Sequence, residues 1–146
     1  MKHLASKKEI MKYCSLAILM LIVSACGSDD DPQPISEDLL AGSASKTWYL
    51  TDHELAGVAD FEDQPTCIQD DRWVFYSTGA MEQNEGASKC SPTDPQVYVN
   101  GSWELFPESK TLRLTRSTIV NFSVEKLTAT VMILKNGSDK MYFAKE

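Results

Sequence analysis

The chain reads as an all-β protein: eight antiparallel strands in an up-and-down meander, closed into a barrel, behind one short helix. Three observations carry that expectation. From Lys46 onward the apolar residues recur with period two, in segments rich in Val, Ile, Thr and aromatic side chains. Turn residues separate most of those segments, and several turns propose a strand register that can be tested against the next. Residues 36–146 are long enough for one domain with a single core, with no internal repeat and no second boundary.

The first 25 residues stand apart. Lys2, Lys7, Lys8 and Lys12 face a single acid, Glu9, and no charge follows from Tyr13 to Ser28. A positive start, a short apolar run and the small residues Ser24 and Ala25 describe an export signal over residues 1–25. The alternative is a transmembrane anchor, which takes roughly 20 apolar residues; this run is shorter and ends in small polar ones. Val23-Ser24-Ala25-Cys26 resembles the lipobox of bacterial lipoproteins, with Val23 where leucine is commoner. The resemblance implies a diacylglyceryl group on the Cys26 sulfur, cleavage before Cys26 and acylation of the new amine, palmitate being the expected chain. Two or more acyl chains hold a protein firmly at about 0.8 kcal/mol per buried CH₂, so Cys26 is expected to be a membrane anchor and not a catalyst. Met11 opens a second complete signal of the same kind, so translation can begin at Met1 or Met11. Cys14 lies in the removed segment under either start.

Residues 26–35 read as a tether. Asp29-Asp30-Asp31 and then Pro32-Gln33-Pro34 combine charge with proline and offer little to bury. An acidic run directly after the lipid cysteine resembles the surface-export signal of Bacteroidota lipoproteins. It implies an outer-membrane protein displayed on the cell surface, the periplasmic face being the alternative. The whole chain carries a formal charge of −7. Without residues 1–25, which hold four lysines and one glutamate, 10 basic residues face 20 acidic ones. That balance repels phosphate backbones, and no basic patch interleaved with aromatics is present, which argues against a nucleic-acid partner.

Ser36 to Gly42 reads as the short helix: Ser36 caps it, Glu37 and Asp38 sit at its positive end, and Gly42 ends it. The expected strands are 46–54, 72–77, 80–85, 97–106, 110–115, 119–125, 127–135 and 140–145. If Asn136-Gly137 is a two-residue turn, Ile133 pairs with Lys140 and Val131 with Tyr142. If Glu125-Lys126 is another, Phe122 pairs with Ala129 and Val120 with Val131. Both place Val120, Phe122, Val124, Leu127, Ala129, Val131, Ile133, Tyr142 and Ala144 on the inner face. Met132, Leu134, Met141 and Phe143 then form an apolar outer stripe that needs covering, by the helix or by a partner.

Cys67 and Cys90 remain after the signal and anchor are counted, and an even pair in an exported chain indicates a disulfide, with two buried free thiols as the alternative. A straight hairpin about a two-residue Thr78-Gly79 turn sets residues opposite when their numbers sum to 157, as those of the two cysteines do. Opposed Cα atoms lie about 4.5–5.5 Å apart, within disulfide range.

Across residues 39–146 the stretches LLAGSASKTWYL, CIQDDRWVFYSTGAM, GASKC and GSWELFPESKTLRLT, in that order, resemble the lipocalin-like domain of small Bacteroidota lipoproteins. The resemblance implies an eight-stranded up-and-down lipocalin-like barrel with a ligand-binding or structural role. Lipocalins proper carry a glycine two residues before the first-strand tryptophan. Here Ser45-Lys46-Thr47 precedes Trp48 and the nearest glycine is Gly42, a departure that bears on the classical ligand carriers more than on the barrel.

No catalytic constellation is legible, and no cofactor or metal is expected. His53 is the one histidine outside the leader, so no zinc set can form. Ser43-Ala44-Ser45-Lys46 matches S-x-x-K of serine β-lactamases without its partner motifs. Asp60, Glu62, Asp63, Asp70 and Asp71 have the ligand chemistry for calcium but match no known loop spacing, and are read as a solvated acidic face in preference to a calcium site. Alternation turns Trp48, Trp73, Phe75 and Trp103 inward. With Tyr142 they are the candidate walls of a site in the barrel mouth, or simply the core, since eight strands enclose little more space than large rings fill. The expected function is therefore a non-enzymatic, lipid-anchored surface barrel binding a small apolar or amphipathic ligand. The alternative is a filled-core interaction module that contacts another envelope protein or a host molecule.

Overall fold

The computed structural model describes residues 34–146. The expected leader, the lipidation site Cys26 and nearly all of the tether 26–35 lie outside the described residues. The first element among the described residues is α1, Glu37–Ala41. Ser36 is extended and its hydroxyl accepts a hydrogen bond from the Leu39 amide at 3.3 Å, while Gly42, at φ 64°, ends the helix and donates its N–H to the Asp38 carbonyl. Both caps are the ones the residue types dictate: a short polar acceptor before the first turn and a residue free to take positive φ after the last. Leu40 and Ala41 are buried, and Ile35 and Leu39 pack beside them against the core.

Nine strands follow: β1 Ser45–Leu55, β2 Val58–Ala59, β3 Arg72–Tyr76, β4 Ala80–Asn84, β5 Val97–Phe106, β6 Thr111–Thr115, β7 Ile119–Leu127, β8 Val131–Asn136 and β9 Asp139–Lys145. β1 and then β3 to β9 pair in chain order, every pair antiparallel, and β9 pairs back onto β1. Eight strands thus close a barrel. β2 pairs only with the last residues of β1, through a hairpin whose turn puts Ala56 at φ 55° and Gly57 at φ 80°. A short 3-10 turn, Phe61–Asp63, and helix α2, Thr66–Gln69, occupy the stretch before β3. No helix among the described residues is long and apolar enough to cross a membrane.

The inner face is packed with large side chains. Trp48, Phe75, Met81, Leu112, Leu114, Met132, Leu134 and Phe143 have under 2 % of their surface exposed. Aromatic rings meet across the interior: Phe75 and Trp103 edge to face at 6.2 Å between centroids, Trp73 with Phe143 at 5.1 Å and with Phe122 at 6.1 Å. Such contacts exceed what area burial alone supplies. Side chains with essentially no accessible surface border no water-sized space, so the middle of the barrel is a core and not a lumen.

Three registers differ from those the turns predict. β7 does not turn at Glu125-Lys126. A bulge there follows Val124, which pairs with Leu134, and the strand runs on until Leu127 pairs with Met132. Thr128 makes the actual turn, its hydroxyl accepting from the Val131 amide at 2.9 Å and its amide donating to the Val131 carbonyl. An extra residue reverses the phase. Val120, Phe122, Val124 and Leu127 keep the expected inward face, whereas the β8–β9 hairpin is turned over. Met132, Leu134, Met141 and Phe143 point inward, and Val131, Ile133, Tyr142 and Ala144 outward, which corrects both the expected inner face and the expected outer stripe.

The last turn is Gly137-Ser138, with Asn136 opposite Asp139. Gly137 supplies the positive φ at the first loop position, and the Asn136 side chain is used elsewhere, its Nδ2 donating to the Asn121 carbonyl on β7 at 2.8 Å. In the β3–β4 hairpin the loop has three residues, Ser77 to Gly79, so that Phe75 faces Met81 and the expected sum of 157 becomes 156. Pairing stops at Arg72 opposite Asn84, well short of the cysteines.

Candidate functional site

The register gives the barrel two distinct ends. At one end Trp48 donates its indole N–H to the Leu40 carbonyl at 2.9 Å, and the Lys46 ammonium bonds the Leu39 carbonyl. These bonds satisfy carbonyls that the end of α1 leaves free and hold the helix over the barrel as a plug. The opposite end carries the β1–β2 hairpin, the 60–71 and 85–96 segments, and the turns after β6 and β8.

Here the inward-facing apolar side chains are only partly buried. Trp73, Val99, Val120 and Met141 share the phase of Phe75, Trp103, Phe122 and Phe143, yet remain partly open to solvent beside the core. They form an apolar floor. Above it stands a polar group. The Arg116 guanidinium donates to the Gln83 side-chain oxygen at 3.0 Å, and Gln83 and Glu85 are the two buried polar residues of the described chain. Gly101 makes the Arg116 reach possible. A Cβ there would lie 2.4 Å from the Thr115 carbonyl oxygen and 3.2 Å from Arg116 Cγ. At the rim the Tyr98 hydroxyl donates to Asp71 Oδ2 at 2.8 Å. Burial, and then the bond to Asp71, push the Tyr98 phenol far up; burial also raises the Asp71 carboxyl, though Tyr98 and Arg72 oppose it. His53 Nδ1 and Asp60 Oδ1 are 2.5 Å apart nearby.

The rim segments are pinned to each other. Cys67 on α2 and Cys90 in the 85–96 segment form a disulfide, Cα to Cα 5.1 Å. The pair is the expected one, but it is not opposed across a straight hairpin. Asp70 Oδ2 accepts from the amides of Ala87 and Ser88, and Gly86, at φ 60°, lies so close to the Asp70 carbonyl that an added Cβ would overlap it. These contacts, and not strand register, bring the sulfurs together. Asp60, Glu62, Asp63, Asp70 and Asp71 do not converge on a point: among the described residues no three acids, histidines or cysteines are grouped to hold a metal ion.

Of the candidate wall residues, Trp48 and Phe75 have no exposed surface, and Trp103, 7 % exposed, donates its indole N–H to the Tyr76 carbonyl at 2.9 Å. Trp73 alone of the four inward aromatics reaches the open end. Tyr142, expected inside, lies on the outer wall, where its hydroxyl donates to Glu54 and Lys140 stacks over its ring. Gln83, Arg116, Val99 and Met141 escape a reading of the sequence. Gln83 and Arg116 are 33 positions apart, and only the period-two phase of Gln83 with Met81 hints that a polar residue faces inward. A hollow of about 370 Å³ opens on the outer wall between Thr47, Arg72, Val74, Asn84 and the C-terminal Glu146, away from the open end. Its floor is polar, and Arg72 in it is already engaged by Glu146 at 3.1 Å.

No protein-family model and no curated protein matches this chain. Solved structures do. A lipocalin-like protein from Bacteroides uniformis is 15 % identical with a TM-score of 0.54, over 74 % of this chain and 99 % of that one. An uncharacterized protein from Bacteroides eggerthii is 15 % identical with a TM-score of 0.51, over 68 % and 97 %. A DUF4847 family protein from Bacteroides vulgatus is 11 % identical with a TM-score of 0.51, over 75 % and 96 %. At such identities the likeness is one of fold: residues 34–146 form a lipocalin-like barrel, closed, antiparallel and eight-stranded, of a kind found in Bacteroides proteins.

Proposed function

We propose that this protein is a non-enzymatic binding module, anchored by lipid at Cys26 in the outer membrane and displayed on the cell surface, that takes an amphipathic ligand at the open end of the barrel. One observation carries the reading. Leu55, Val58, Ile68, Tyr98 and Ile119 are the large apolar residues left exposed among those described, and every one lies on a segment at the end opposite α1, Tyr98 and Ile119 on the outer side of the rim because they alternate with the inward Val99 and Val120. Apolar surface gathered at one place on an otherwise charged domain marks a contact site. A ligand held deep inside, the simplest expectation for a barrel of this fold, has no support in a packed middle.

The experiment is a fluorescence titration of the protein with dodecyl maltoside monomers, a neutral amphiphile. Trp73 is the tryptophan at the open end, so a blue shift is expected in the native protein and not in Trp73→Phe. An unchanged native spectrum overturns the reading. Protease treatment of intact cells tests the display: a chain cut only after lysis removes the surface assignment.

A further inference from the structure

We infer that the open end selects a cationic amphipathic peptide; this rests on the binding reading above and names its ligand chemistry. Segments 52–71, 84–98, 115–120 and 135–141 build that end. Together they hold ten acids against four lysines and arginines, whereas the rest of residues 34–146 holds seven against six. The negative charge of the domain is therefore concentrated where its exposed apolar residues are.

None of those acids is in an ion pair with Lys or Arg. Among the described residues the Lys and Arg ion pairs use Glu104, Glu125 and Glu146, none of them in these segments. Arg116 is turned to the neutral Gln83, and Lys89 donates to the Asp94 carbonyl, not to its carboxylate. Asp60 has the imidazole of His53. Asp70 and Asp71 each keep one carboxylate oxygen with no donor, both of them buried beneath the rim. A collar of like charge beside apolar side chains raises the local concentration of cations and rejects anions. A fatty carboxylate would meet the collar head on.

The spread of the apolar residues argues for a peptide. Leu55 and Val58 stand on the β1–β2 hairpin, Ile68 on α2, Tyr98 on β5 and Ile119 on β7. Four separate segments around a barrel end are matched by side chains spaced along a chain, with basic residues between them to meet the acids.

The test measures fluorescence anisotropy of three labelled peptides of one length, Leu/Lys, Leu/Glu and Ser/Lys, against the full chain. Expected is binding of Leu/Lys about tenfold tighter than of either other peptide, weakening from about 20 mM to about 500 mM salt. Val58→Ser/Ile119→Ser and Glu62→Gln/Asp63→Asn each weaken it several-fold. Glu104→Gln/Glu108→Gln, the same loss of charge elsewhere on the barrel, leaves it unchanged. Equal binding of Leu/Glu and Leu/Lys, or equal weakening by the Glu104/Glu108 variant, overturns the inference. If the dodecyl maltoside shift persists in that case, charge selection has failed while the binding reading stands; if both signals are absent, both fail.

Discussion

Arg116, in the turn after β6, crosses over Gly101 of β5 to place its Nη1 3.0 Å from the Gln83 oxygen on β4. One side chain thereby spans three strands and roofs the apolar floor at the open end. It does so only because the strand beneath it has no side chain at that point.

Gly101→Ala is accordingly expected to destabilise the fold by about 1–3 kcal/mol, the usual cost of forcing an atom into a packed place. Its Cβ would overlap the Thr115 carbonyl, which is backbone and cannot swing aside. Ser102→Ala, next along on the outer face, should stay within about 0.5 kcal/mol. Urea unfolding of the two variants makes the comparison.

The overturned β8–β9 hairpin yields a paired expectation. Leu134 has no exposed surface, whereas Ile133 lies on the outer wall. Leu134→Ala should cost about 2–5 kcal/mol. Ile133→Thr, which keeps a β-branched side chain, should cost about 1 kcal/mol or less. Denaturant midpoints in which Ile133→Thr is the more damaging would reject the observed register.

The disulfide joins residues 23 apart. In the chain-entropy account, closing such a loop is worth about 3 kcal/mol. Cys67→Ser/Cys90→Ser should lose about that much by equilibrium unfolding and remain folded. The oxidised native chain, alkylated without reduction, should show no modification at Cys67 or Cys90.

Asp71 supplies a pH signature. Burial raises its carboxyl above the ordinary aspartate value, so the folded state binds that proton more readily than the unfolded chain does. The penalty for ionising it is absent below the ordinary aspartate range, develops as pH climbs through the raised value, and is fully present at neutral pH. Asp71→Asn, which still accepts from Tyr98, should therefore raise the melting temperature at pH 7 and lose that gain near pH 3. A gain that grew toward acid would contradict the assignment.

Much of this architecture is readable along the chain, because it depends on neighbours in sequence. Ser36 and Gly42 bound α1 through hydrogen bonds within four residues. Val97–Phe106 is a strand at the expected ends because turn residues flank a run of alternating side chains. The inward phase of Trp48, Trp73, Phe75 and Trp103 follows from the same period of two.

Tertiary structure decided what local rules leave balanced. Both faces of 131–144 are apolar, so either can serve as core. One bulge after Val124 and a turn built by the Thr128 hydroxyl chose between them, and moved Tyr142 outside. The cysteines are paired by contacts of Asp70 with Gly86, Ala87 and Ser88, which no strand register encodes. Gln83 and Arg116 lie 33 positions apart and meet only once the barrel has closed. Alternation and capping are short-range properties, legible residue by residue; the choice between two equally greasy faces, and the gathering of acids and exposed apolar side chains at one rim, are set by packing among distant strands.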